Sequence, residues 1–396
     1  MNTEKLKKTI ISEIKTIESY IIDTRRHIHM YPETAYEEEK TAAFIEEELK
    51  KIGYKTEKIA KTGVMAILRG GQNGKTVALR ADIDALNISE ENDLPYCSKI
   101  SGKMHACGHD GHTAMLLGAA KILFKYKDQL RGNVKFLFQP AEEGGGGGKR
   151  IVEEGHVDDV DAVFGIHFWH ELPTGVIGTR KGGMMASADE FLITIKGKGG
   201  HAASPHQTID PTAVLMDIYN SLQKIISREV DPLANAVLTT PMFEGSDAFN
   251  VIPPQATLRG TFRTMDHEVR NHIVKRIQEI VDGYSQAWRC EGEVIFNPGE
   301  MVDIPPLLND NQAVDDLSAI LSSLDSVTEM DPTMGSEDFA FYLQKTMGAF
   351  IALGIYNEEK GITFPHHHPK FDIDEDVLWK GAAIYALLGF YPVFVG

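Results

Sequence analysis

Three apolar, strand-like runs in the first half of the chain each lead into acidic or imidazole side chains. They are residues 76–80 before Asp82 and Asp84, 134–138 before Glu142 and Glu143, and 162–166 before His167. Segments with helical periodicity lie between these runs, a pattern typical of a doubly wound α/β sheet. Such a sheet gathers its strand ends along one edge, where α/β proteins place their chemistry. The sequence therefore predicts an α/β domain with reactive side chains at one sheet edge.

A second domain is expected within the first, because 396 residues exceed the size at which a single core stops growing. Residues 184–299 read as strand, helix, strand, strand, helix, and the acidic and imidazole clusters do not recur there. This order resembles a split-βαβ unit, an α+β fold of the ferredoxin-like type. We predict that residues 1–183 and 300–396 form one domain and that 184–299 form an insertion. Helices are predicted at 4–29, 37–52 and 112–126.

Composition argues against several classes of partner. The chain has 57 acidic and 40 basic residues and a formal net charge of −17, which would repel nucleic acid and anionic membranes. The longest apolar run, 381–396, is interrupted by Gly389 and Pro392 and is too short to span a bilayer. Three widely spaced cysteines and an N-terminal segment without a signal-peptide apolar core favour a reducing, cytoplasmic location.

Cys107 and His109 flank Gly108 just before the predicted helix at 112–126. Residues two apart cannot share a helical face, so joint ligation requires a looped or extended backbone. Thiolate sulfur and imidazole are preferred ligands of zinc-type sites, and we interpret the pair as metal ligands rather than as a buried thiol and a structural histidine. Asp110 either caps the following helix or supports a ligand.

Glu142 and Glu143 are adjacent at the end of a strand that should be buried. Neighbouring carboxylates repel each other unless a cation holds one and a proton moves on the other, the division of labour of a metallohydrolase. The alternative is that both cap the glycine loop 144–148. That loop suggests a phosphate cradle, but Arg150 follows Lys149 where the nucleotide motif requires Ser or Thr, so we reject nucleotide binding and expect a mobile loop.

Two further groups have more than one interpretation. Asp82 and Asp84 could bind metal, orient a ligand histidine or close a turn, and we favour the supporting role. The run His366, His367 and His368 should supply one ligand, but spacing does not decide which histidine it is.

Seven ordered motifs resemble the amidohydrolase branch of the M20 metallopeptidase family. They are RADIDAL (80–86), HACGHDGH (105–112), QPAEE (139–143), GIH (165–167), GKGGHA (197–202), GSEDF (335–339) and HHPKF (367–371). That branch includes hippurate hydrolases, other N-acyl-amino-acid amidohydrolases, auxin-conjugate hydrolases and some carboxypeptidases. The resemblance covers almost the whole chain and implies a zinc-peptidase-like catalytic domain with an inserted lid and dimerisation domain.

The resemblance also implies roles for individual residues. The implied metal ligands are Cys107, His109, Glu143, His167 and His367. Glu142 matches the general base, and Asp82, Asp84 and Asp110 are expected to support the ligands. Asp82 stands where other M20 members have a metal-binding histidine, so its own ligation stays open.

In the inserted domain, His201 matches a lid histidine that reaches across the dimer to the oxyanion, and Asn250 and Arg263 match residues that hold the substrate carboxylate. Five protein ligands exceed the four of a closed zinc site and favour two divalent ions, zinc or manganese, with cobalt or nickel as alternatives.

The function expected from these residues is hydrolysis of N-acyl-L-amino acids. Alternatives are a carboxypeptidase acting on short or N-blocked peptides, an N-acetyldiaminopimelate deacetylase and, remotely, a non-catalytic metal-binding protein on the same scaffold. The expected assembly is a homodimer through the lid domain, or a tetramer of such dimers.

Overall fold

The computed structural model describes residues 3–299 and 302–395. The helices, in chain order, are α1 Thr3–Thr16, α2 Glu18–Met30, α3 Glu39–Ile52, α4 His109–Lys125, α5 Gly147–Glu153, α6 Pro211–Lys224, α7 His267–Trp288, α8 Asn311–Leu321, α9 Ala340–Leu343, α10 Leu378–Gly389 and α11 Tyr391–Phe394. The strands are β1 Thr56–Ile59, β2 Gly63–Arg69, β3 Gln72–Asp82, β4 Arg131–Gln139, β5 Ala162–Pro173, β6 Ile177–Thr179, β7 Gly182–Met185, β8 Asp189–Lys196, β9 Gly200–His201, β10 Ala236–Glu244, β11 Val251–Ile252, β12 Gln255–Thr264, β13 Glu291–Phe296, β14 Leu307–Asn309, β15 Val327–Glu329 and β16 Met347–Tyr356.

The chain divides into two compact units. Unit 1 comprises Met1–Met184, Leu308–Asp331 and Asp338–Gly396, and unit 2 comprises Met185–Leu307 and Pro332–Glu337. Unit 2 therefore reaches past residue 299, where we expected the insertion to end, and takes in a short segment from later in the chain.

Unit 1 is built on an eight-stranded sheet with the order β1-β2-β4-β3-β5-β16-β6-β15. The four central strands, β4, β3, β5 and β16, run parallel to one another. Antiparallel pairs occur toward the edges, between β1 and β2, β2 and β4, and β16 and β6. Strand β15 at the edge pairs in parallel with β6. The predicted α/β class is confirmed, with a mixed sheet whose four central strands are parallel.

The buried centre of unit 1 explains why its sequence lacks strict alternation. Residues of β3 from Thr76 to Asp82 are buried without a break, as expected for a central parallel strand covered on both faces. Helix α4 is also buried over most of its length and packs against α10 and β3. A helix that is apolar all round belongs inside the protein. Among the residues described, no helix is both long enough and apolar enough to cross a bilayer.

Three predicted boundaries in unit 1 are wrong. The helix predicted at 4–29 is two helices, because Ile17 leaves helical geometry with φ −113° and ψ 17°. Helix α4 begins at His109 rather than at 112, which brings His109 into its first turn. Strand β5 continues to Pro173, so His167 lies within the strand, although the pairing of β5 with β3 already ends at Gly165.

Unit 2 has a four-stranded antiparallel sheet with the order β10-β12-β8-β13 and two long helices, α6 and α7. Strand β8 alternates buried and partly exposed residues, and its buried side chains join a core with α6 and α7. Asp210 and Asp266 cap these two helices by accepting hydrogen bonds from backbone amides of the first turn. The β-α-β-β-α-β order confirms the split-βαβ fold, although β13 was not predicted.

Candidate metal centre

The sheet of unit 1 delivers side chains to one place from several separate segments. Strand β3 ends at Asp82, and the turn after β4 carries Glu142 and Glu143. Cys107 lies in the loop before α4, and His167 lies on β5 beyond its pairing with β3. The carboxyl ends of neighbouring parallel strands meet at the same sheet edge.

The predicted ligands form one connected cluster. The ligand atoms of Cys107, His109 and Glu143 all lie within 4.8 Å of one another. The Cys107 Sγ lies 3.5 Å from His167 Nε2, and Glu143 Oε1 lies 3.0 Å from His367 Nε2. The five side chains are therefore brought together as the sequence suggested. Whether each one binds an ion stays a prediction.

Two of the imidazoles are oriented as metal ligands. His109 Nδ1 lies 2.9 Å from the Asp84 carbonyl oxygen, and His167 Nδ1 lies 2.7 Å from that of Phe168. A carbonyl oxygen only accepts, so both Nδ1 atoms carry the proton and both Nε2 atoms face the cluster. His109 Nε2 is buried without a hydrogen-bond partner among the described residues. A thiol, two such imidazoles and a carboxylate are a donor set that fits divalent ions.

His112 also lies in this cluster, but both of its ring nitrogens are already used. Nε2 accepts a hydrogen bond of 2.9 Å from the Phe168 amide, so the proton is on Nδ1, which donates to Asp82 Oδ1 at 2.6 Å. Burial, which outweighs the nearby Asp82 carboxylate, lowers the pKa of His112 to about 4. These contacts join His112 to Asp82 on β3 and to the Phe168 amide on β5.

Asp82 and Asp84 contact the candidate ligands in different ways. Asp82 Oδ2 accepts a hydrogen bond of 2.7 Å from Arg80 and lies 3.8 Å from His109 Nε2. Burial opposes its ionisation, but His109 and Arg80 outweigh burial and hold the pKa of Asp82 well below its usual range. Asp84 Oδ1 lies 3.2 Å from His109 Nδ1, while Oδ2 accepts from the Glu143 amide at 3.0 Å. Asp84 thus joins two candidate ligands.

Asp110 faces away from these contacts and toward α2. Its Oδ2 accepts hydrogen bonds from Arg25 Nε at 2.7 Å and from His29 Nδ1 at 2.8 Å. Burial is again outweighed, here by Arg25 and His29, so the pKa of Asp110 lies well below its usual range. The suggestion that Asp110 caps α4 is wrong, because the cap residue is Gly108 and no side chain bonds there.

The turn that carries the two glutamates has an unusual backbone. Ala141 adopts φ +54°, a left-handed conformation that costs a residue with a Cβ roughly 1–3 kcal/mol. Its amide donates to Glu38 Oε1 at 2.9 Å, and its carbonyl accepts from the Gly147 amide at 3.0 Å. The Glu142 side chain that follows is 9% exposed. The turn therefore holds both carboxylates through a strained residue that is fixed at both of its polar groups.

Glu38 was not identified from the sequence. It is fully buried, and Oε2 accepts a hydrogen bond of 2.6 Å from the Thr62 hydroxyl. Burial, together with the nearby Asp84 carboxylate, raises the pKa of Glu38 to about 7. In the sequence it stands within the acidic run 37–39, which looks like a solvated helix start. No local pattern distinguishes it from its neighbours.

The triple histidine separates into different environments. His367, at φ +64°, donates its amide to the Ala106 carbonyl at 2.8 Å, which directs its ring toward Glu143. A ring nitrogen of His366 lies within 4.8 Å of ligand atoms of Cys107 and His167. His368 stacks on a phenylalanine, and its Nδ1 accepts from the Lys370 amide. Two of the three histidines therefore face the cluster, which spacing alone could not reveal.

A buried network lies beneath the cluster. Arg80 donates from Nε to Gln139 Oε1 at 2.8 Å and from Nη2 to Asp338 Oδ1 at 3.1 Å, besides its bond to Asp82. Asp338 in turn accepts from the Gly148 amide at 2.8 Å. The signal in the sequence is an arginine inside an apolar strand, which requires buried partners.

Unit 2 contains the remaining predicted residues. His201 on β9 pairs in register with Val251 on β11, and the Ala202 amide donates to the Asn250 carbonyl at 3.1 Å, so His201 and Asn250 are neighbours. Both side chains are exposed.

Arg263 is on β12, half-buried, and lines a cavity of about 250 Å³ within unit 2. Its Nη1 donates to the Thr261 hydroxyl at 2.7 Å. Among the described residues no carboxylate pairs with Arg263, whereas Arg259, which also lines the cavity, pairs with Glu190.

Comparison with known proteins agrees with this geometry. Residues 78–389 match the model of peptidase family M20/M25/M40. The chain is 43% identical over 390 residues to thermostable carboxypeptidase 1 of Saccharolobus solfataricus, covering 97% of each protein. It is 42% identical over 372 residues to the N-acetyl-L-cysteine deacetylase of Bacillus subtilis, covering 93% of this chain and 87% of that protein. A crystal structure from Bacillus subtilis, described as a dinuclear metal-binding peptidase of the M20 family, superposes with a TM-score of 0.83 at 34% identity, covering 96% of this chain and 99% of that one.

Metal binding to the cation-free protein should release roughly two protons, because two candidate ligands are protonated at neutral pH. Burial and the Glu143 and Glu142 carboxylates raise the pKa of the Cys107 thiol, and carboxylates outweigh burial to raise the pKa of His109 to about 10. The apparent affinity for Zn²⁺ should therefore rise by up to roughly 100-fold per pH unit between about pH 6 and 8.

Isothermal titration calorimetry in buffers of different ionisation enthalpy measures this release. Cys107→Ser should lower the number of protons by about one, while Cys290→Ser in unit 2 should leave it unchanged. A binding enthalpy that does not depend on the buffer would contradict the assignment.

Proposed function

Because the chain belongs to peptidase family M20/M25/M40, we propose that it is a metal-dependent amidohydrolase that cleaves N-acyl-L-amino acids into a carboxylic acid and a free amino acid. The observation that carries the proposal is the pair of adjacent glutamates after β4. Glu143 lies in the ligand cluster with Cys107 and His109, and Glu142 stands next to it on the same strained turn.

Two divalent ions per subunit are proposed, held by Cys107, His109, Glu143, His167 and His367. The dinuclear description of the Bacillus subtilis structure supports this number. The thiolate favours zinc, while the imidazoles and carboxylates also accept manganese, cobalt or nickel. When bound, such ions polarise a carbonyl group and lower the pKa of water.

Glu142 is proposed as the general base. Its carboxylate takes a proton from the attacking water and delivers it to the amide nitrogen, which leaves as a neutral amine. The carboxylate of Glu143 contacts His367, and this hydrogen bond, with the His109 charge, outweighs burial and holds its pKa below the usual value. Glu143 therefore stays ionised and suited to bind a cation, which leaves proton transfer to its neighbour.

Residues of unit 2 are proposed to bind the rest of the substrate. His201 donates a hydrogen bond to the developing oxyanion and acts on the active centre of the partner in a homodimer. Asn250 and Arg263 bind the carboxylate of the amino acid. The position of Arg263 supports this role, because the side chain is half-buried at a cavity and, among the described residues, forms no ion pair with a carboxylate. A guanidinium can hold a carboxylate through two hydrogen bonds.

The nearest alternative keeps the mechanism and changes the substrate. The similarity to a thermostable carboxypeptidase supports peptides with a free C-terminus, whereas the similarity to a deacetylase of N-acetyl-L-cysteine supports simple acyl groups. In both cases the leaving amine belongs to an amino acid with a free carboxylate, which is the group assigned to Arg263.

A panel of substrates should separate these alternatives. The metal-loaded protein is assayed for release of free amino acid from N-acetyl and N-benzoyl amino acids and from N-blocked dipeptides, with a chelator-treated control. We expect metal-dependent turnover that is fastest for the simple acyl compounds. Preference for the dipeptides would identify a carboxypeptidase. Absence of turnover on the whole panel would contradict the proposal and direct attention to N-acetyldiaminopimelate or to a non-catalytic metal-binding protein.

Glu142→Gln should lower kcat by roughly 100- to 10,000-fold, because the amide cannot take up the proton of the attacking water. Its metal content should equal that of the wild type, since Glu143 is unchanged. The matched control is Glu153→Gln, an exposed glutamate on α5 that should keep full activity. Activity close to that of the wild type in a metal-loaded Glu142→Gln protein would remove this residue as the base.

His201→Ala should lower kcat by roughly 100- to 1,000-fold at unchanged metal content, because an oxyanion donor is lost. His206→Ala changes an exposed histidine of the same unit and should keep activity.

Coexpression of His201→Ala with Glu142→Gln tests action across the dimer. Random pairing makes half of the dimers mixed, and one of their two centres has both residues intact, so about a quarter of wild-type activity should return. If both residues act within one subunit, no activity returns.

A further inference from the structure

The turn that carries Glu142 and Glu143 is held from outside by the segment before α3. Glu38 Oε1 accepts the Ala141 amide at 2.9 Å, and the Tyr36 hydroxyl donates to the Gly145 carbonyl at 2.9 Å. These two contacts are on either side of the glutamate pair. The segment is thus hydrogen-bonded to the turn both before and after the two glutamates.

Glu38 is itself fixed in position. Its side chain is fully buried, and the Thr62 hydroxyl donates to Oε2 at 2.6 Å, so one carboxyl group joins the Thr62 loop to the Ala141 turn. Among the described residues Glu38 forms no ion pair with a lysine, arginine or histidine. A buried carboxyl group without a cation is costly, and a hydrophobic residue at this position would avoid that cost.

The direction of both glutamates depends on Ala141. Its φ of +54° determines where the chain goes next, and residues with a Cβ relax from this conformation unless their surroundings hold them. The Ala141 amide bond to Glu38 is one restraint, and the bond from the Glu143 amide to Asp84 is another. The Gly147 amide, which donates to the Ala141 carbonyl at 3.0 Å, is a third restraint. Loss of the first would leave Ala141, which precedes Glu142, held by its carbonyl group but not by its amide.

We propose that Glu38 is a positioning residue that fixes Glu142 and Glu143 through the Ala141 amide. The proposal rests on the proposed function, in which Glu142 is the base and Glu143 a ligand. Glu38 does not contact substrate or ligand atoms in this role. It acts by holding the backbone from which both carboxylates project.

Three variants of Glu38 test the proposal. Glu38→Ala removes the acceptor, and Glu38→Asp keeps the carboxyl group but shortens the side chain by one methylene group, so that it falls short of the Ala141 amide. Both should lower kcat by roughly tenfold or more and change KM less than about threefold, because the reacting groups move while substrate binding is kept. Glu38→Gln keeps an oxygen acceptor for the Ala141 amide and an amide group that can bond to the Thr62 hydroxyl. Its kcat should stay within about threefold of the wild-type value.

The matched control is Glu33→Ala. Glu33 Oε2 accepts the Lys40 and Thr41 amides at the start of α3, close to Glu38 in sequence, without contacting the Ala141 turn. Its loss should lower the melting temperature and leave kcat unchanged. A fall in kcat for Glu33→Ala equal to that of Glu38→Ala would show that stability of α3, rather than the bond to Ala141, governs activity.

A second measurement does not depend on turnover. Visible absorption of the Co²⁺-substituted protein reports ligand geometry, and it should change in Glu38→Ala and Glu38→Asp but not in Glu38→Gln or Glu33→Ala. Wild-type kcat and an unchanged Co²⁺ spectrum in Glu38→Ala would overturn the proposal, as would a Glu38→Gln protein as impaired as Glu38→Ala. If Glu38→Ala does not fold, kcat and the Co²⁺ spectrum of Glu38→Asp decide whether the proposal holds.

Failure of the proposed function can be distinguished from failure of the Glu38 proposal. A wild-type protein inactive on every acyl substrate would contradict that function, while the Co²⁺ spectra of the same variants would still decide whether Glu38 positions Glu143.

Discussion

A buried guanidinium joins the ends of two strands beneath the candidate metal centre. Arg80 on β3 bonds to Asp82 on its own strand, to Gln139 at the end of β4 and to Asp338 from a distant segment. All four side chains are inaccessible to solvent. Without the arginine, two buried carboxylates would each lose a cationic partner, a loss of about 3–5 kcal/mol for a single broken pair. The network bridges the paired ends of β3 and β4, Asp82 and Gln139, from which the glutamate turn continues.

Carboxylates near the Arg80 network also determine the pKa values of the histidines in the candidate metal centre. His109 and His112 are three residues apart in sequence and both fully buried, yet the pKa of the first is raised to about 10 and that of the second is lowered to about 4. His109 faces Asp82, Asp84 and Glu143, which outweigh burial, whereas at His112 burial, together with the neighbouring His167 and His109, outweighs Asp82. Local contacts thus separate a histidine whose surroundings favour a positive charge from one that stays neutral.

Two residues with strained backbones in this centre are each held by a hydrogen bond from the backbone amide. Ala141 and His367 both have left-handed backbones, and each donates its amide to a fixed acceptor, Glu38 Oε1 and the Ala106 carbonyl respectively. Residues in such conformations persist where their surroundings over-determine them. The precision needed to hold adjacent carboxylates in different roles therefore comes from backbone restraints as well as from the side chains that perform the chemistry.

The sequence by itself determined the α/β class and the split-βαβ insertion, because strand and helix periodicity are local properties. Its motifs, through the resemblance to the M20 family, indicated which side chains cluster. It did not determine that β5 continues past His167, that two histidines of the triple run face the cluster, or that both ring nitrogens of His112 are hydrogen-bonded. It gave no sign of Glu38, which lies about 100 residues from the turn it holds. Those features follow from backbone torsion angles and from contacts between distant segments, and only the tertiary structure brings such segments together.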